Sequence, residues 1–140
     1  MPRAAEWRFC GFLPQVPSGA RWPDRRIWAL FEPRSNTAGR KIFEEDYADA
    51  FAAADALLIA PVFHKRRLAP EAIIDRQAIV ARFAGGGRPG FTPDAIEEIP
   101  EILRRQTRSG DVLILMSSGA FGGLPGTLLE ELSGPGGPAD

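Results

Sequence analysis

The sequence of 140 residues has little of what several classes of protein require. Cys10 is its only cysteine, which excludes a disulfide within the chain and a zinc site built from several cysteines. A single cysteine suits a reducing compartment, so we expect a cytoplasmic protein. No run approaches the roughly 18 consecutive apolar residues of a membrane-spanning helix, and nothing in the sequence predicts a membrane partner.

Excess charge of either sign is also lacking. The formal net charge is −1 with 25% charged residues, so there is no basic field of the kind that attracts nucleic acid. The length is near the usual size of one domain, and a chain of this size buries enough apolar surface to fold without covalent cross-links. We therefore expect one globular domain that acts on small or local partners.

The sequence also lacks the usual signatures of nucleotide and metal sites. No G-x-G-x-x-G follows a strand and no G-x-x-x-x-G-K-[ST] occurs, and residues 85–90 are rich in glycine but follow a predicted helix, which favours a turn. His64 is the only histidine, and the cations at residues 65–67 favour a solvated loop over a metal ligand or a general base. The acidic residues 44–46 point in different directions on a helix, which favours a solvated face. The sequence predicts no metal site and no catalytic residue.

What the sequence does contain is an alternation of strand-like runs and helical patterns. Residues 26–31, 56–60 and 112–116 are predicted strands, and the continuous apolar run at residues 56–60 is typical of a strand buried on both faces. Trp28 is expected in the core rather than exposed as a stacking platform. A weaker extended piece is predicted near residues 88–91. Parallel strands need helix-sized connections such as those found here. The pattern therefore predicts an α/β fold, a three-layer Rossmann-like sandwich with a mostly parallel sheet.

Four helices are predicted between and after these strands. Residues 41–54 and 75–84 carry apolar residues at three- and four-residue steps. A third helix is predicted to open at residue 92 with Pro93 at its first position, and Pro100 is expected to kink it. A closing helix is predicted to end near residue 132.

The strongest functional signal is the polar loop at residues 32–37, which follows the first predicted strand. Pro33 ends that strand by its fixed φ and thereby presents Arg34 at the strand's carboxyl end. A guanidinium group is a rigid fork of donors suited to carboxylate or phosphate. The next three residues add short hydrogen-bonding groups, namely Ser35, Asn36 and Thr37. Such residues are equally typical of an ordinary helix start, so the loop's chemistry alone leaves both interpretations open.

A second loop, residues 117–123, follows the strand predicted at residues 112–116. In a parallel α/β sheet, ligands bind beyond the carboxyl ends of the strands, and both loops fall there. We therefore expect the two loops to meet at one edge of the sheet. Glycines in the second loop would let backbone amides approach a ligand, and the helix start that follows favours negative charge. A plain tight turn explains Gly122 and Gly123 equally well.

Residues 27–37, 60–63 and 110–123 resemble the C-terminal domain of the Mur ligases. The first loop reads Glu-Pro-Arg-Ser-Asn-Thr, as in the murein peptide ligase branch, whereas the alanine-adding relatives carry Gln-Pro-His-Arg. The second loop resembles that branch's Met-Ser-Asn-Gly-Gly-Phe-Gly-Gly. The resemblance runs over residues 21–132, which defines the predicted domain. Residues 1–20 are an atypical N-terminal segment, and the tail at residues 133–140 is predicted to be flexible.

The resemblance implies an ATP-dependent ligase that forms an amide bond in peptidoglycan synthesis or recycling. A muramyl carboxylate is phosphorylated, and the amine of a peptide attacks the acyl phosphate. The C-terminal domain receives the incoming amino acid or peptide, here one of the muramyl tripeptide class. By that resemblance Arg34 grips a carboxylate of the peptide, with Ser35, Asn36 and Thr37 around it. The opposite wall of the pocket would consist of Ser117, Ser118, Gly119 and Phe121.

The sequence departs from the Mur ligases in two respects. The ATP-binding central domain is absent, so we expect the chain alone to be catalytically incomplete. We also expect it to bind no cofactor by itself, because ATP and Mg²⁺ would bind to the complete ligase. The family segment of the type Asp-Asp-(Phe/Tyr)-Ala-His-His-Pro-Thr is also missing before Trp28, a pattern that a truncated gene would produce. Partners would then be the missing ligase domains or a second copy. The alternative is a stand-alone, non-catalytic module that binds an anion or a peptide or serves in assembly.

Overall fold

The computed structural model describes residues 3–4, 25–33, 47, 49–62, 73–117 and 119–133. Its strands are β1 (Arg3–Ala4), β2 (Ile27–Phe31), β3 (Ala56–Ile59), β4 (Gly90–Phe91) and β5 (Val112–Met116). Its helices are α1 (Arg76–Ala84), α2 (Ile99–Gln106) and α3 (Leu124–Ser133), with 3₁₀ turns at Ile96–Glu98 and Phe121–Gly123. The strands form one sheet in the order β1-β5-β2-β3-β4, and every neighbouring pair is parallel.

Helices cover both faces of the sheet, and the side chains of its strands alternate between two cores. All residues of β2, β3 and β5 are buried, as their continuous apolar sequences predict. The first core includes Ile27, Phe31, Tyr47, Phe51, Ile79 and Phe83. The second core includes Trp28, Leu30, Ile99, Leu103, Leu124 and Leu128. The predicted three-layer α/β sandwich is therefore confirmed.

Most of the predicted elements are found at the predicted places. Asp75 caps α1, because its carboxylate accepts a 3.0 Å hydrogen bond from the backbone N–H of Ala78. The closing helix and the short extended piece are α3 and β4. The helix predicted at residues 41–54 is described only in part: residues 47, 49 and 50 are helical, and a turn at residues 51–53 ends it before Ala54.

The helix predicted from residue 92 begins later than its pattern indicates. Ala95 has an extended backbone (φ −144°, ψ 149°), which a helix cannot include. The Glu98 carboxylate accepts a 2.7 Å hydrogen bond from the backbone N–H of Ala95 and holds this late start. The predictions of Pro93 at the first helical position and of a kink at Pro100 are therefore both wrong. Pro100 lies in the first turn of α2, where a missing N–H is tolerated.

A buried polar network closes the amino ends of β2 and β5. The carboxylate of Asp111, 3% exposed, accepts two hydrogen bonds from the Arg26 guanidinium, at 3.1 and 2.7 Å. It also accepts the indole N–H of Trp28 at 3.1 Å and the backbone N–H of Arg108 at 2.9 Å. Trp28 is 1% exposed and stacks on Phe91, which confirms its place in the core. The buried Asp111 carboxylate therefore finds its hydrogen-bond donors within the described part of the chain.

None of the helices in the described part of the chain is both long enough and apolar enough to cross a membrane.

Candidate functional site

The strand order creates a topological switch point at the carboxyl ends of β2 and β5, and the space beyond these two ends is called the crevice. From β2 the chain passes to β3 on one side, whereas β5 lies on the other side of β2. The residues that follow β2, such as Tyr47, pack on the first core, and α3, which follows β5, packs on the second. The described residues that follow β2 and those that follow β5 therefore pack on opposite faces of the sheet. Such a switch point is where open α/β sheets bind ligands.

The two loops singled out from the sequence begin side by side at this crevice. Phe31 and Met116 are register partners, and the backbone N–H of Glu32 donates to the Met116 carbonyl at 2.9 Å. One residue further, the Ser117 hydroxyl donates a 2.7 Å hydrogen bond to Oε1 of Glu32. The same hydroxyl oxygen accepts the backbone N–H of Gly119 at 3.1 Å. The structure thus brings the starts of both loops together, as the sequence predicted.

Glu32 is the unexpected member of this site. Its side chain is 1% exposed, although it directly follows a strand and precedes Pro33. Strand alternation places it on the same face as Leu30, above the second core. Its Oε2 atom is shielded from solvent and has no hydrogen-bond partner in the described part of the chain. The sequence signal that could have found it is a carboxylate at the end of five buried residues.

Ser117 holds other groups in place. It is 6% exposed, and its single hydroxyl proton is committed to Glu32 while its oxygen accepts from Gly119. It thereby fixes both the carboxylate at the end of β2 and the backbone that follows β5. The structure gives Ser117 a positioning contact, and its predicted direct contact with substrate stays a prediction.

The second loop forms a tight left-handed turn before α3. Phe121, Gly122 and Gly123 all have positive φ, at 52°, 60° and 79°. Phe121 is fully buried in the second core, so burial of its ring offsets a backbone cost of roughly 1–3 kcal/mol. A Cβ atom at Gly122 would lie 3.2 Å from the Ile96 side chain, so a larger residue would crowd Ile96 and also adopt an unfavourable positive φ, and both effects favour glycine.

Five of the residues predicted to contact a ligand are not described by the structure. Arg34, Ser35, Asn36, Thr37 and Ser118 lie outside the described residues, and their roles stay predictions. Nearly all of residues 1–20 and all of residues 134–140 also lie outside the described residues, so the predicted domain boundaries stay predictions. Gly119 is partly exposed and lies next to Ser117 at the crevice.

Arg76 is a second group that the sequence analysis missed at this edge. Its Nη1 donates to the carbonyl of Ile59, at the end of β3, and to that of Pro93, at 2.9 and 2.8 Å. Burial lowers the pKa of this guanidinium, and the nearby carboxylate of Asp94 opposes that shift. Both hydrogen bonds go to backbone carbonyls, so in this structure Arg76 fastens α1 to the carboxyl ends of two strands.

A separate groove of about 320 Å³ runs between the 3₁₀ turn at Ile96–Glu98, α2 and α3. Its acidic groups are partly neutralised, because Arg104 contacts Glu101 at 3.0 Å and Glu131 at 3.2 Å. Among the residues that the structure describes, no cluster of three or more histidine, cysteine or acidic residues could hold a metal ion. The buried polar pair Glu32 and Ser117 therefore remains the best-defined candidate site.

Comparison with known proteins confirms the resemblance drawn from the motifs. No family model matches the chain. The chain is 35% identical over 112 residues to the UDP-N-acetylmuramate--L-alanine ligase of Paraburkholderia phytofirmans, and 38% identical over 111 residues to that of Bordetella avium. These matches cover 79% and 78% of the chain but only 23% of each ligase. The chain thus spans less than a quarter of the length of these curated relatives.

Solved structures support the same fold. A murein peptide ligase from Psychrobacter arcticus matches 80% of this chain with a TM-score of 0.60 and 24% identity, over 22% of its own length. An isolated domain of a Haemophilus ducreyi protein, named for a UDP-N-acetylmuramate:L-alanyl-γ-D-glutamyl-diaminopimelate ligase, matches with a TM-score of 0.55 and 22% identity. That match covers 80% of this chain and 72% of the isolated domain. The chain is therefore similar in sequence to a segment of the Mur ligases and has the fold of a Mur ligase domain.

Proposed function

We propose that this chain, related to a quarter-length segment of the Mur ligases, is the C-terminal domain that binds the incoming amino component of an ATP-dependent amide ligase. The reaction would join that component to a muramyl carboxylate in peptidoglycan synthesis or recycling. The observation that carries the proposal is that both family-like loops begin side by side at the carboxyl ends of β2 and β5. A ligand held there would touch both loops at once.

The proposal assigns binding to this chain and leaves phosphoryl transfer to the rest of the ligase. Transfer of a phosphoryl group needs a cradle of backbone amides, a lysine and Mg²⁺, and the sequence carries no motif for them. A charge-assisted hydrogen bond from Arg34 would contribute about 1.5–3 kcal/mol, enough to position a peptide but far short of catalysis. ATP, Mg²⁺ and the remaining domains would therefore complete the activity, in the cytoplasm.

The first loop favours a peptide over a single amino acid as the ligand. Glu-Pro-Arg-Ser-Asn-Thr resembles the murein peptide ligase motif, although the curated relatives reported above are alanine ligases. We therefore propose the tripeptide L-Ala-γ-D-Glu-meso-diaminopimelate as the ligand, with Arg34 paired to one of its carboxylates. L-alanine is the competing ligand that the relatives suggest.

Calorimetric titration of the 140-residue chain with the tripeptide and with L-alanine tests this proposal. We expect the tripeptide to bind more tightly, and Arg34→Ala to weaken it by about tenfold or more. Arg105→Ala is the matched control, because Arg105 is a 74% exposed arginine on α2 whose charge lies away from the crevice. Equal effects of the two substitutions, or no binding of the tripeptide, would contradict the proposal and favour a stand-alone module for another anion.

A further inference from the structure

Among the described residues, the carboxylate of Glu32 finds a hydrogen-bond partner for one of its two oxygens only. Ser117 donates to Oε1 at 2.7 Å, whereas Oε2 is shielded from solvent and receives no hydrogen bond from the described residues. A buried acceptor without a partner carries a free-energy cost, and the cost is larger for a charged group. Such a group in a folded protein requires an explanation, such as an ordered water, an ion or a functional role.

The other buried carboxylate shows that this fold can satisfy such a group when its role is structural. Asp111 lies at the opposite ends of the same two strands and receives four hydrogen bonds from Arg26, Trp28 and Arg108. The same pair of strands therefore ends in a complete network at the amino edge and an incomplete one at the carboxyl edge. The incomplete one lies where open α/β sheets bind ligands.

The charge of Glu32 determines which ligand group could complete the network. A carboxylate oxygen accepts hydrogen bonds only, and its strongest partners are cationic donors. Arg76, a described cation at the carboxyl edge, donates through Nη1 to the carbonyls of Ile59 and Pro93. A hydrogen bond to Oε2 would form in a site shielded from water, where electrostatic attraction is stronger.

We propose that Oε2 of Glu32 accepts a hydrogen bond from a protonated amine of the ligand in the crevice, with Ser117 holding the carboxylate in place. This rests on the proposed function, because an amide ligase takes up an amino component, and it adds the residue that recognises a protonated amine of that component. Glu32 would act on the cationic part of the peptide, and Arg34 on an anionic part.

The test compares the free tripeptide L-Ala-γ-D-Glu-meso-diaminopimelate with the same peptide acetylated on its amines. Both are titrated calorimetrically into the 140-residue chain. The wild type is expected to prefer the free amines by about tenfold or more, and Glu32→Gln to abolish that preference. Glutamine keeps the size of the side chain and an oxygen for Ser117. Asp55→Asn is the control: it removes the same charge at the amino end of β2, where Asp55 accepts the backbone N–H of Ile27.

The outcomes separate the inference from the proposed function. Equal affinities of the wild type for the two peptides, or a preference retained in Glu32→Gln, would overturn the inference while leaving peptide binding intact. Failure of both peptides to bind would overturn the proposed function together with the inference. Far-UV circular dichroism checks that Glu32→Gln folds, and equal affinities of the wild type for the two peptides would overturn the inference even if it does not.

Discussion

Removal of the Ser117 hydroxyl should destabilise the protein far more than an ordinary surface Ser→Ala change. The hydroxyl donates to the buried carboxylate of Glu32 at 2.7 Å and accepts from Gly119 at 3.1 Å. In Ser117→Ala both oxygens of Glu32 lack a partner, and the Gly119 N–H loses its acceptor. Loss of a hydrogen bond to a charged group costs about 1.5–3 kcal/mol, so we expect the free energy of unfolding to fall by about 2–3 kcal/mol.

Equilibrium unfolding in urea, followed by far-UV circular dichroism, measures this change. The double variant Glu32→Met with Ser117→Ala is the matched test, because replacing both partners by apolar groups removes the unpaired charge. We expect it to be more stable than the sum of the two single changes predicts, by about 1–2 kcal/mol of coupling. A Ser117→Ala effect below about 0.5 kcal/mol, or strictly additive changes, would refute the buried pair as described.

Two further predictions concern the surroundings of the site. Asp111→Ala leaves the buried indole N–H of Trp28 and the Arg108 N–H without an acceptor. Asp111→Ala should lower the free energy of unfolding, measured in urea, by about 2–4 kcal/mol, and Asp111→Asn should lower it less. Equal effects of the two substitutions would contradict a charge-dependent network. Gly122→Ala adds a contact with Ile96 at 3.2 Å to the strain of a positive φ, whereas Gly123→Ala adds strain alone. Gly122→Ala should therefore lower the thermal unfolding midpoint more than Gly123→Ala does. A larger decrease in Gly123→Ala would contradict the steric argument.

The sheet could be predicted from the sequence because its strands are buried on both faces. Residues 56–60 and 112–116 are continuous apolar runs with no amphipathic ambiguity, and β3 and β5 lie within them. The start of α2 could not be predicted in the same way. Pro93 has the local chemistry of a helix start, but the extended Ala95 and the contact between its N–H and Glu98 defer the helix. The sequence therefore contains local signals for two different helix starts, and its pattern does not show which of them forms.

The sequence predicted which two loops lie at the site, but it did not predict which of their side chains contact each other. Parallel strands and helix-sized connections place both loops at one edge by general rules, and the structure brings their starts together. The contact between Glu32 and Ser117 joins residues 85 positions apart, so no local pattern reveals it. Glu32 follows a strand and precedes a proline, which is typical of a solvated loop residue. Its contacts are with Met116 and Ser117 of the neighbouring strand and the loop after it, so its burial depends on tertiary structure.

Amide chemical shifts of the ¹⁵N-labelled chain, followed during titration with L-Ala-γ-D-Glu-meso-diaminopimelate, test most directly whether the carboxyl ends of β2 and β5 receive the amino component. The account predicts that the largest changes in the described part of the chain occur at Glu32, Ser117 and Gly119, with little change at Arg26 and Asp111 at the opposite edge. Changes confined to the amino edge or to the outer surface of α2, or no changes at millimolar peptide, would contradict it.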